Sequence, residues 1–450
     1  MSSRSIAALL DRLETPSVEG HSVMVVRRGH VIAEGWWAPY SADRPQLLYS
    51  MTKSFTSIAV GLAIADGLLS LDDRVVDVLP AHVPADIPEQ ARRLTVHHLL
   101  SMTAGHPEDS LAEAWELEPG DLIRGFLRVP FTEPEGTRHT YDNATTFVLA
   151  RMVERVTGRT LPELLDDRLF KPMGIDHAEW DRVASGAAFG FHGLHLTTEA
   201  VAAFGELLLR EGAWGDRQLV PKEWVNLATR RHIEVVGEHA DHLHGYGYQF
   251  WTSRHGFYGD GAYRQQCLVV PEQELVVVVT GAVTQENTLP DVVWDSLLPG
   301  LDAPGTTQDD EILADRLRRL SLAPVPGTAD PNRSAKATLD ASALPGGTTV
   351  VIDPTDGGWL LRFGSSFTVE AGHGTWRESA PLGRPVVAAG AWQGDTFTAD
   401  LYVITTPHRV RLLLDARAGT ATATWSTVPL TGPNLELHLR SPLMTRPDVS

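Results

Sequence analysis

The order of secondary-structure patterns along the first 300 residues constrains the fold most. Two β-rich runs meet at an Arg-Gly-His turn within residues 21–38, and strand-like runs return only after residue 246, as YGYQFWTS, QCLVV and ELVVVVTGAV. Between them the pattern is mainly helical and is punctuated by Gly, Pro and Asp. We therefore predict an α+β domain over 1–305, in which distant segments form one antiparallel sheet, helices flank it, and an all-helical insertion covers about 53–240.

The last hundred residues carry a different pattern. Alternating apolar runs recur as TTVVID, GWLLRFG, FTADLYVIT and RVRLLLDA, and none of them has a helical period. This pattern predicts a small antiparallel, barrel-like (lipocalin-like) domain over 346–450. Residues 306–345 are rich in Pro, Gly, Asp and Thr, so we predict a linker there.

Charge and cysteine content limit the classes of function. There are 38 Lys+Arg against 57 Asp+Glu, which gives a net charge of −19 and disfavours nucleic acids and anionic membranes as partners. The single cysteine, Cys267, cannot form an internal disulfide. The N-terminal apolar stretch is too short for a signal peptide, and no apolar run reaches the roughly 18 residues of a membrane span. We expect a cytoplasmic protein with a small-molecule partner, and the sequence leaves its oligomeric state open.

A serine followed three residues later by a lysine is the first chemical signal. Lysine occurs only four times, at Lys53, Lys171, Lys222 and Lys336, and only Lys53 follows a serine, Ser50, at this spacing. Positions three apart are neighbours on a helix surface. Burial and a helix N-terminus both lower the pKa of an amine, so a neutral Lys53 would take the proton of the Ser50 hydroxyl, as arginine does not. Alternatively, Ser50 caps the helix and Lys53 reaches solvent.

A tyrosine and an asparagine two residues apart form the second signal. Tyr141 and Asn143 lie in a turn before the apolar helix ATTFVLARMVERVTG. The phenol can relay a proton if a nearby cation lowers its pKa, and the amide can position a substrate carbonyl. Alternatively, Asp142 or Asn143 caps the helix and Tyr141 packs in the core.

The third signal is a glycine-rich run before the strand CLVV. Gly259 and Gly261 allow a substrate to approach an edge strand, and a backbone amide there would pair with that of Ser50 to hold an oxyanion. The substrate-binding candidates in this run are Tyr258, Asp260, Gly261 and Ala262. The alternative is a plain hairpin turn; a dinucleotide site is excluded because arginine stands at the third glycine position.

These three motifs, in this order, resemble the signature of the serine β-lactamase and penicillin-binding-protein superfamily. The stretches LTVHHLLSMTAG, LFKPMGI and YGYQFW are similar to its class C-like branch, which contains esterases, D-aminopeptidase-like enzymes and 6-aminohexanoate-dimer hydrolases. The resemblance covers about residues 5–300. It implies a β-lactamase/transpeptidase-like fold and a serine hydrolase that needs no cofactor or metal.

The resemblance also implies a role for each matching residue. Ser50 would be the acylated nucleophile, Lys53 its general base, and Tyr141 the proton shuttle to the leaving group. Asn143 would orient the substrate and the lysine, while the backbone amides of Ser50 and Ala262 would form the oxyanion hole.

The third motif departs from the family pattern. Members that bind carboxylated substrates carry Lys or His and then Thr or Ser before the glycine, whereas this chain has Gly259 and Asp260. An acidic side chain repels a substrate carboxylate. We therefore expect poor turnover of β-lactams and D-Ala-D-Ala peptides and better turnover of small neutral or cationic esters or amides.

Several other features have alternative interpretations. His239, His242 and His244 suggest a metal, but they lie in a polar stretch and we expect none there. His195 is expected to pack behind the site. We expect residues 106–130 to overhang the site, with Trp115 either in an acyl pocket or in the core.

Aromatic residues in the C-terminal domain also need an explanation. Core packing explains them better than sugar or lipid binding, and the residues concerned are Trp359, Trp376, Trp392 and Trp425. We expect this domain to dock on the first and shape the acyl entrance.

Three functions remain at the end of the sequence argument. The first is acyl-enzyme hydrolysis of a small ester or amide. The second is a transacylase of secondary metabolism, which passes the acyl group to an amine or alcohol. The third is a catalytically silent binding module on the same fold, disfavoured because Ser50, Lys53 and Tyr141 are all present.

Overall fold

A seven-stranded antiparallel sheet forms the centre of the first 300 residues. It is seen in a computed structural model that describes residues 1–15, 17–183, 185–236, 242–283, 289–340 and 343–440. Its strands are β1 (Glu14–Thr15), β2 (Val18–Arg27), β3 (His30–Trp36), β4 (Trp251–Ser253), β5 (Gly256–Gly261), β6 (Gln265–Val270) and β7 (Leu275–Val283). The order is β1-β2-β7-β6-β5-β4, with β3 also paired to β2. The β2–β7 pairing confirms that distant segments build one sheet.

Among the residues that the structure describes, seven longer helices accompany this sheet. They are α1 (Ser3–Leu13), α2 (Thr52–Ala65), α3 (Asn143–Thr157), α4 (Thr198–Leu209), α5 (Lys222–Thr229), α6 (Leu289–Ser296) and α7 (Thr307–Arg318). Shorter helical segments span Val75–Val78, Val96–Leu100, Leu111–Leu117, Leu122–Phe126, Leu161–Leu165, Lys171–Met173 and Leu435–His438. In the described part of the chain, no helix is long and apolar enough to cross a membrane.

The central strands β2, β6 and β7 are buried on both faces, since they are apolar at successive positions. On β6 and β7, Cys267 and Val276 join the core that contains α2 and α4, whereas Leu268 and Val277 join the core that contains α1, α6 and α7. A methyl group at Gly205 in α4 would meet Val276, so this glycine lets the helix lie close to the sheet. The expected helices on both sides of the sheet are thus confirmed.

The insertion is mainly helical, but it also contains two small sheets. Strands Gln46–Leu47, Glu179–Trp180 and Leu194–Leu196 form one, and Ala213–Trp214 with Arg217–Gln218 forms the other. Strands of two or three residues are too short to show an alternating pattern, which is why the sequence predicted an all-helical insertion.

The C-terminal region forms a closed eight-stranded barrel, as the alternating pattern predicts. Its strands are β8 (Ala335–Leu339), β9 (Thr349–Thr355), β10 (Gly358–Phe363), β11 (Phe367–Gly372), β13 (Val386–Gln393), β14 (Thr396–Val403), β15 (Arg409–Asp415) and β16 (Thr420–Trp425); β12 (Arg377–Ser379) adds to β13. Neighbours pair antiparallel except at β8–β16 and β11–β13, where parallel pairs close the barrel. Trp359 and Trp392 fill its core.

Residues 306–345, predicted as a linker, contain a helix and a strand. Helix α7 packs on α1 and β3, with Leu313 buried in the same core as α1. Strand β8 belongs to the barrel. The polar surface of α7 and the prolines after it give this segment the composition of a linker, although the connection between α7 and β8 is limited to residues 319–334.

The barrel docks on the first domain through buried hydrogen bonds. The Leu47 amide donates to the Thr405 carbonyl (2.8 Å), Gln46 Nε2 to the Ile404 carbonyl (3.0 Å) and the Tyr40 hydroxyl to the Thr406 carbonyl (3.1 Å). Because Gln46 and Leu47 precede Ser50 by only a few residues, this contact places the barrel beside the predicted nucleophile.

Candidate active site

Ser50 lies in a 3-10 turn, Tyr49–Met51, that leads directly into α2. Helix α2 is apolar around most of its circumference and is buried between the sheet and α3. Tyr49 has a left-handed backbone conformation, with φ of 49°. This conformation is uncommon for a residue other than glycine and turns the chain sharply just before the serine.

Lys53 is 1% exposed and has three polar neighbours. Its Nζ lies 2.9 Å from Ser50 Oγ, 2.6 Å from Asn143 Oδ1 and 3.1 Å from the Phe191 carbonyl oxygen. A neutral amine has two N–H donors and one lone pair. Asn143 Oδ1 and the Phe191 carbonyl oxygen accept hydrogen bonds from the two N–H groups. The lone pair is therefore left to accept a hydrogen bond from the Ser50 hydroxyl.

The electrostatic environment favours the neutral form of this lysine. Burial lowers the pKa of Lys53 to about 7, although the charges of Asp109, Asp142 and Asp260 oppose the change. The alternative in which Lys53 reaches solvent is therefore wrong for this structure. A buried amine with this pKa can accept a proton near neutral pH.

Tyr141 also contacts the serine, but its pKa moves in the direction opposite to our expectation. Its phenol hydrogen-bonds to the Ser50 hydroxyl, and Lys53 Nζ lies 4.8 Å from its ring centroid. Burial, together with the negative charges of Asp260 and Asp109, raises the pKa of Tyr141. The lysine beside it does not supply the lasting positive charge that would lower the pKa, so the phenol stays protonated and is suited to donating a proton.

Asn143 is fixed by a residue that the sequence reasoning did not single out. Its Nδ2 donates to Asp109 Oδ2 (2.5 Å) and its backbone amide to Asp109 Oδ1 (3.0 Å). Because a carboxylate only accepts, this contact turns Asn143 Oδ1 towards Lys53. Burial and the neighbouring Asp142 raise the pKa of Asp109. The only sequence signal for Asp109 was its place in the segment 106–130, which we expected to overhang the site.

Asp142 caps helix α3, which is the alternative role considered for the motif of Tyr141 and Asn143. Its side chain accepts from the Ala144 amide at the start of α3 and from the Ser110 hydroxyl (2.8 Å), and it pairs with His106 Nδ1 (3.0 Å). The cap and the contacts of Asn143 coexist, because consecutive side chains point in different directions.

The glycine-rich run lies along β5, against the turn that carries the serine. A Cβ at Gly259 would lie 2.9 Å from Met51 Cγ, and one at Gly261 would overlap the Leu48 carbonyl oxygen. Gln265 Nε2 donates to the carbonyls of Ala262 (3.3 Å) and Gly281 (2.7 Å), which holds the turn after β5. Glycine at positions 259 and 261 therefore lets β5 pack closely against this turn.

The two remaining residues of this run differ in their surroundings. Asp260 is partly buried, accepts a hydrogen bond from Gln266, and is close enough to act on the charges of Lys53 and Tyr141. Tyr258 is 2% exposed and packs in the core that contains α1, away from the lining of the cavity beside Ser50. Its contact with substrate stays a prediction, because Tyr258 lies two residues from Asp260 and therefore on the same face of the strand.

A cavity of about 560 Å³ opens beside Ser50 and Asn143. Asp109, Leu111 and Trp115 line one wall, which places the segment 106–130 over the site as expected. Trp115 faces this cavity while being mostly buried. The volume is in the range of sites for small organic ligands.

The barrel provides another wall of the same cavity. Residues 430–432, after β16, line it opposite the first domain. The Tyr49 hydroxyl hydrogen-bonds to Nε2 of His408, a buried residue of the barrel. The barrel thus contacts both the cavity and the residue that precedes Ser50.

Other residues considered in the sequence lie outside this cavity. His195 is buried beside Asp181 (3.2 Å) behind the site, as expected. His242 stacks on Trp251, with ring centroids 3.8 Å apart, whereas His239 lies outside the described residues. Among the residues that the structure describes, no cluster of His, Cys, Asp or Glu is arranged to hold a metal ion.

Comparison with known proteins agrees with the fold. The family model "Beta-lactamase" matches residues 6–297. Lovastatin esterase of Penicillium rubens is 30% identical over 186 residues, which are 36% of this chain and 46% of that protein. The 6-aminohexanoate-dimer hydrolase of Paenarthrobacter ureafaciens is 26% identical over 234 residues, 48% of this chain and 58% of that protein. The chain spans about half the length of such curated relatives.

A solved structure extends the likeness of fold to the barrel. The octameric penicillin-binding protein homologue from Pyrococcus abyssi superposes with a TM-score of 0.51 and 16% sequence identity, over 91% of this chain and 95% of that chain. The chain belongs to the β-lactamase family.

Proposed function

We propose that this protein hydrolyses a small neutral or cationic ester or amide through a covalent acyl-enzyme on Ser50. The observation that carries the proposal is the buried Lys53 amine, 2.9 Å from Ser50 Oγ, whose two donors are occupied by other acceptors. Removing the serine proton requires a lone pair at this place, and the surroundings leave one there.

The contacts support a role for each group in the reaction. Ser50 Oγ attacks the substrate carbonyl carbon while its proton passes to Lys53 Nζ. The protonated Lys53 then returns the proton through the Tyr141 hydroxyl to the leaving oxygen or nitrogen as the bond to the carbonyl carbon breaks. Water releases the acid in a second round with the same groups. The backbone amides of Ser50 and Ala262 are the proposed donors to the oxyanion.

Charge around the cavity supports the proposed substrate class. Asp109 lines the cavity and Asp260 lies near Lys53, so a substrate carboxylate would meet negative charge. Gly259 supplies no basic side chain that would offset it. Relatives named as an esterase and as a hydrolase of an amino-acid dimer make both esters and amides reasonable first substrates.

The test combines covalent labelling with a substrate panel. We expect a fluorophosphonate probe to add to Ser50, located by peptide mass spectrometry, and p-nitrophenyl esters to be hydrolysed by the wild type but not by Ser50→Ala. We expect a cephalosporin to be hydrolysed far more slowly than a simple ester. Failure to label Ser50 would leave the silent binding module as the better description.

Transfer of the acyl group to an amine or alcohol starts from the same acyl-enzyme and remains the second function to test. Added amines compete with water for this intermediate. A transacylase would give mainly amide product at millimolar amine, whereas a hydrolase would continue to give mainly acid.

A further inference from the structure

His192 lies in the wall of the active-site cavity and has no role in the proposed reaction. The residue is 6% exposed, and neither of its ring nitrogens has a hydrogen-bond partner among the described residues. It follows Phe191, whose carbonyl oxygen accepts from Lys53. A polar ring is thus held beside the reacting groups without a partner.

Aromatic rings surround this imidazole. Ring centroids of Tyr49, Phe189 and Phe191 lie 5.9, 4.6 and 5.6 Å from that of His192. The apolar setting makes an unpaired ring nitrogen costly, because the polar group has left water without a replacement hydrogen bond. Both ring nitrogens are shielded in the present ring orientation, so a group that enters the cavity supplies the missing hydrogen bond when the imidazole rotates one nitrogen towards it.

The protonation state of His192 limits what that group can be. Burial lowers the pKa of His192 to about 4; the charge of Asp181 opposes this change, and the positive charge of Arg384 adds to it. The imidazole is therefore neutral at pH 7. A neutral imidazole offers one N–H donor and one acceptor nitrogen, so it suits a hydroxyl or an amide.

The other walls of the cavity are mostly apolar. Leu111, Trp115 and Leu430 line it, while Asp109 is already engaged with Asn143. A substrate portion that fills this space would place carbon against these side chains and a single polar substituent near His192.

We propose that His192 is a specificity-determining residue that hydrogen-bonds a hydroxyl or amide substituent on the otherwise apolar acyl group of the substrate. The inference rests on the proposed function, because it places the acyl group of the acyl-enzyme in the cavity beside Ser50. It assigns to that acyl group a polar substituent that the sequence did not indicate.

A matched ester series tests the proposal. Each p-nitrophenyl ester carries the same alkyl acyl chain, either plain or with one hydroxyl or acetamido group at successive carbons. We expect the wild type to favour one polar isomer over its plain parent by about tenfold in kcat/KM, the usual scale of one hydrogen bond in a buried site. His192→Phe should abolish this preference, and His192→Asn should restore part of it.

The control variant is His177→Phe, because His177 is exposed and lies outside the cavity. It should keep the wild-type preference. The proposal is overturned if no polar isomer is preferred by the wild type, a result that needs no variant to fold, or if His192→Phe keeps the preference. If the wild type neither labels at Ser50 nor hydrolyses any ester, the proposed function fails; if it does both without a preference, only this inference fails.

Discussion

Lys53 owes its chemistry to its surroundings. The chain has few lysines, and the one beside Ser50 is buried against two oxygen acceptors and an aromatic ring. Burial stabilises the neutral amine, whereas a guanidinium at the same position would stay protonated. An arginine would therefore keep positive charge at the site and lose the base.

The first prediction concerns the pH dependence of ester hydrolysis. Because Lys53 must be neutral and its pKa is about 7, kcat/KM should rise with pH through about 7 and level off above it. Below pH 7 it should fall about tenfold per pH unit, as the amine takes up a proton. Lys53→Arg should lose at least roughly a thousandfold in kcat/KM and lack this profile.

Initial rates over pH 5–9 with a p-nitrophenyl ester check this prediction, read at a wavelength where p-nitrophenol and its anion absorb equally so that ionisation of the product does not interfere. Lys222→Arg, at an exposed lysine paired with Glu211, is the matched control and should keep the wild-type profile. A flat profile in the wild type, or full turnover by Lys53→Arg, would contradict the assignment of the base.

The sequence identified those site residues whose neighbours are close along the chain or follow a known motif. Ser50 and Lys53 are three apart, so helix geometry alone predicts their contact. Asp109 and His192 could not be found in this way. Their importance depends on which side chains the fold brings near Asn143 and the cavity, and neither stands in a recognisable spacing.

Helix α2 carries Lys53 in its first turn and directly follows the turn that holds Ser50, so its position decides that of the site. Gly61 lies on the same helix, and a methyl group there would overlap the indole ring of Trp224 on α5. The glycine therefore allows the two helices to approach closely. Neither the indole ring of Trp224 nor the backbone of α2 can shift easily in a closely packed core.

The second prediction is that Gly61→Ala destabilises the protein by about 1–3 kcal/mol, because the added methyl group forces α2 and α5 apart. Urea unfolding followed by fluorescence measures the change. Gly120→Ala is the control, since Gly120 has open space around it, and its change should stay within about 0.5 kcal/mol. Equal effects of the two substitutions would mean that close packing at Gly61 is unimportant.

Elements with a strong period were predicted well, and short ones were not. Apolar residues recur at a regular spacing over enough positions to be recognised in the hairpin of β2 and β3, in the apolar helix α2 and in the strands of the barrel. The two- and three-residue strands of the insertion have no such period. The parallel closures of the barrel depend on tertiary pairing between strands far apart in sequence.

At the scale of the whole molecule, a buried ion pair joins the two domains. Arg384 Nη2 of the barrel lies 2.5 Å from Asp181 Oδ1 of the first domain, and both side chains are almost fully buried. Burial alone would raise the pKa of Asp181, but His195 and Arg384 lower it well below its usual range. The partners are too far apart in sequence for any local pattern to have indicated the pair.

The third prediction follows from this burial. Arg384→Ala leaves the Asp181 carboxylate with less positive charge around it and should destabilise the protein by about 3–5 kcal/mol. The matched control is Arg44→Ala, which removes the more exposed interdomain pair with Glu378 and should cost less than about 1 kcal/mol. Thermal and urea unfolding measure both, and similar losses would contradict a special role for the buried pair.

The barrel also contacts the turn that carries Ser50, through His408. Burial lowers the pKa of His408 to about 3, so its ring is neutral. Its Nδ1–H donates to the Thr427 carbonyl oxygen (2.8 Å), which leaves Nε2 to accept from the Tyr49 hydroxyl. Because Tyr49 holds a left-handed conformation next to Ser50, this hydrogen bond helps to fix the serine from a separate domain.

The fourth prediction is that His408→Phe lowers kcat of ester hydrolysis about tenfold with a smaller change in KM, because the loss of one buried hydrogen bond loosens the placement of the nucleophile. Tyr49→Phe removes the other end of the same bond and should have a similar effect. The double variant should lose little beyond either single one, because both act on one interaction.

His373→Phe, elsewhere on the barrel, should keep wild-type kinetics. Fully additive losses would show that the barrel and the tyrosine act separately, and unchanged kinetics in His408→Phe would reduce the barrel's part in catalysis to the wall that residues 430–432 provide.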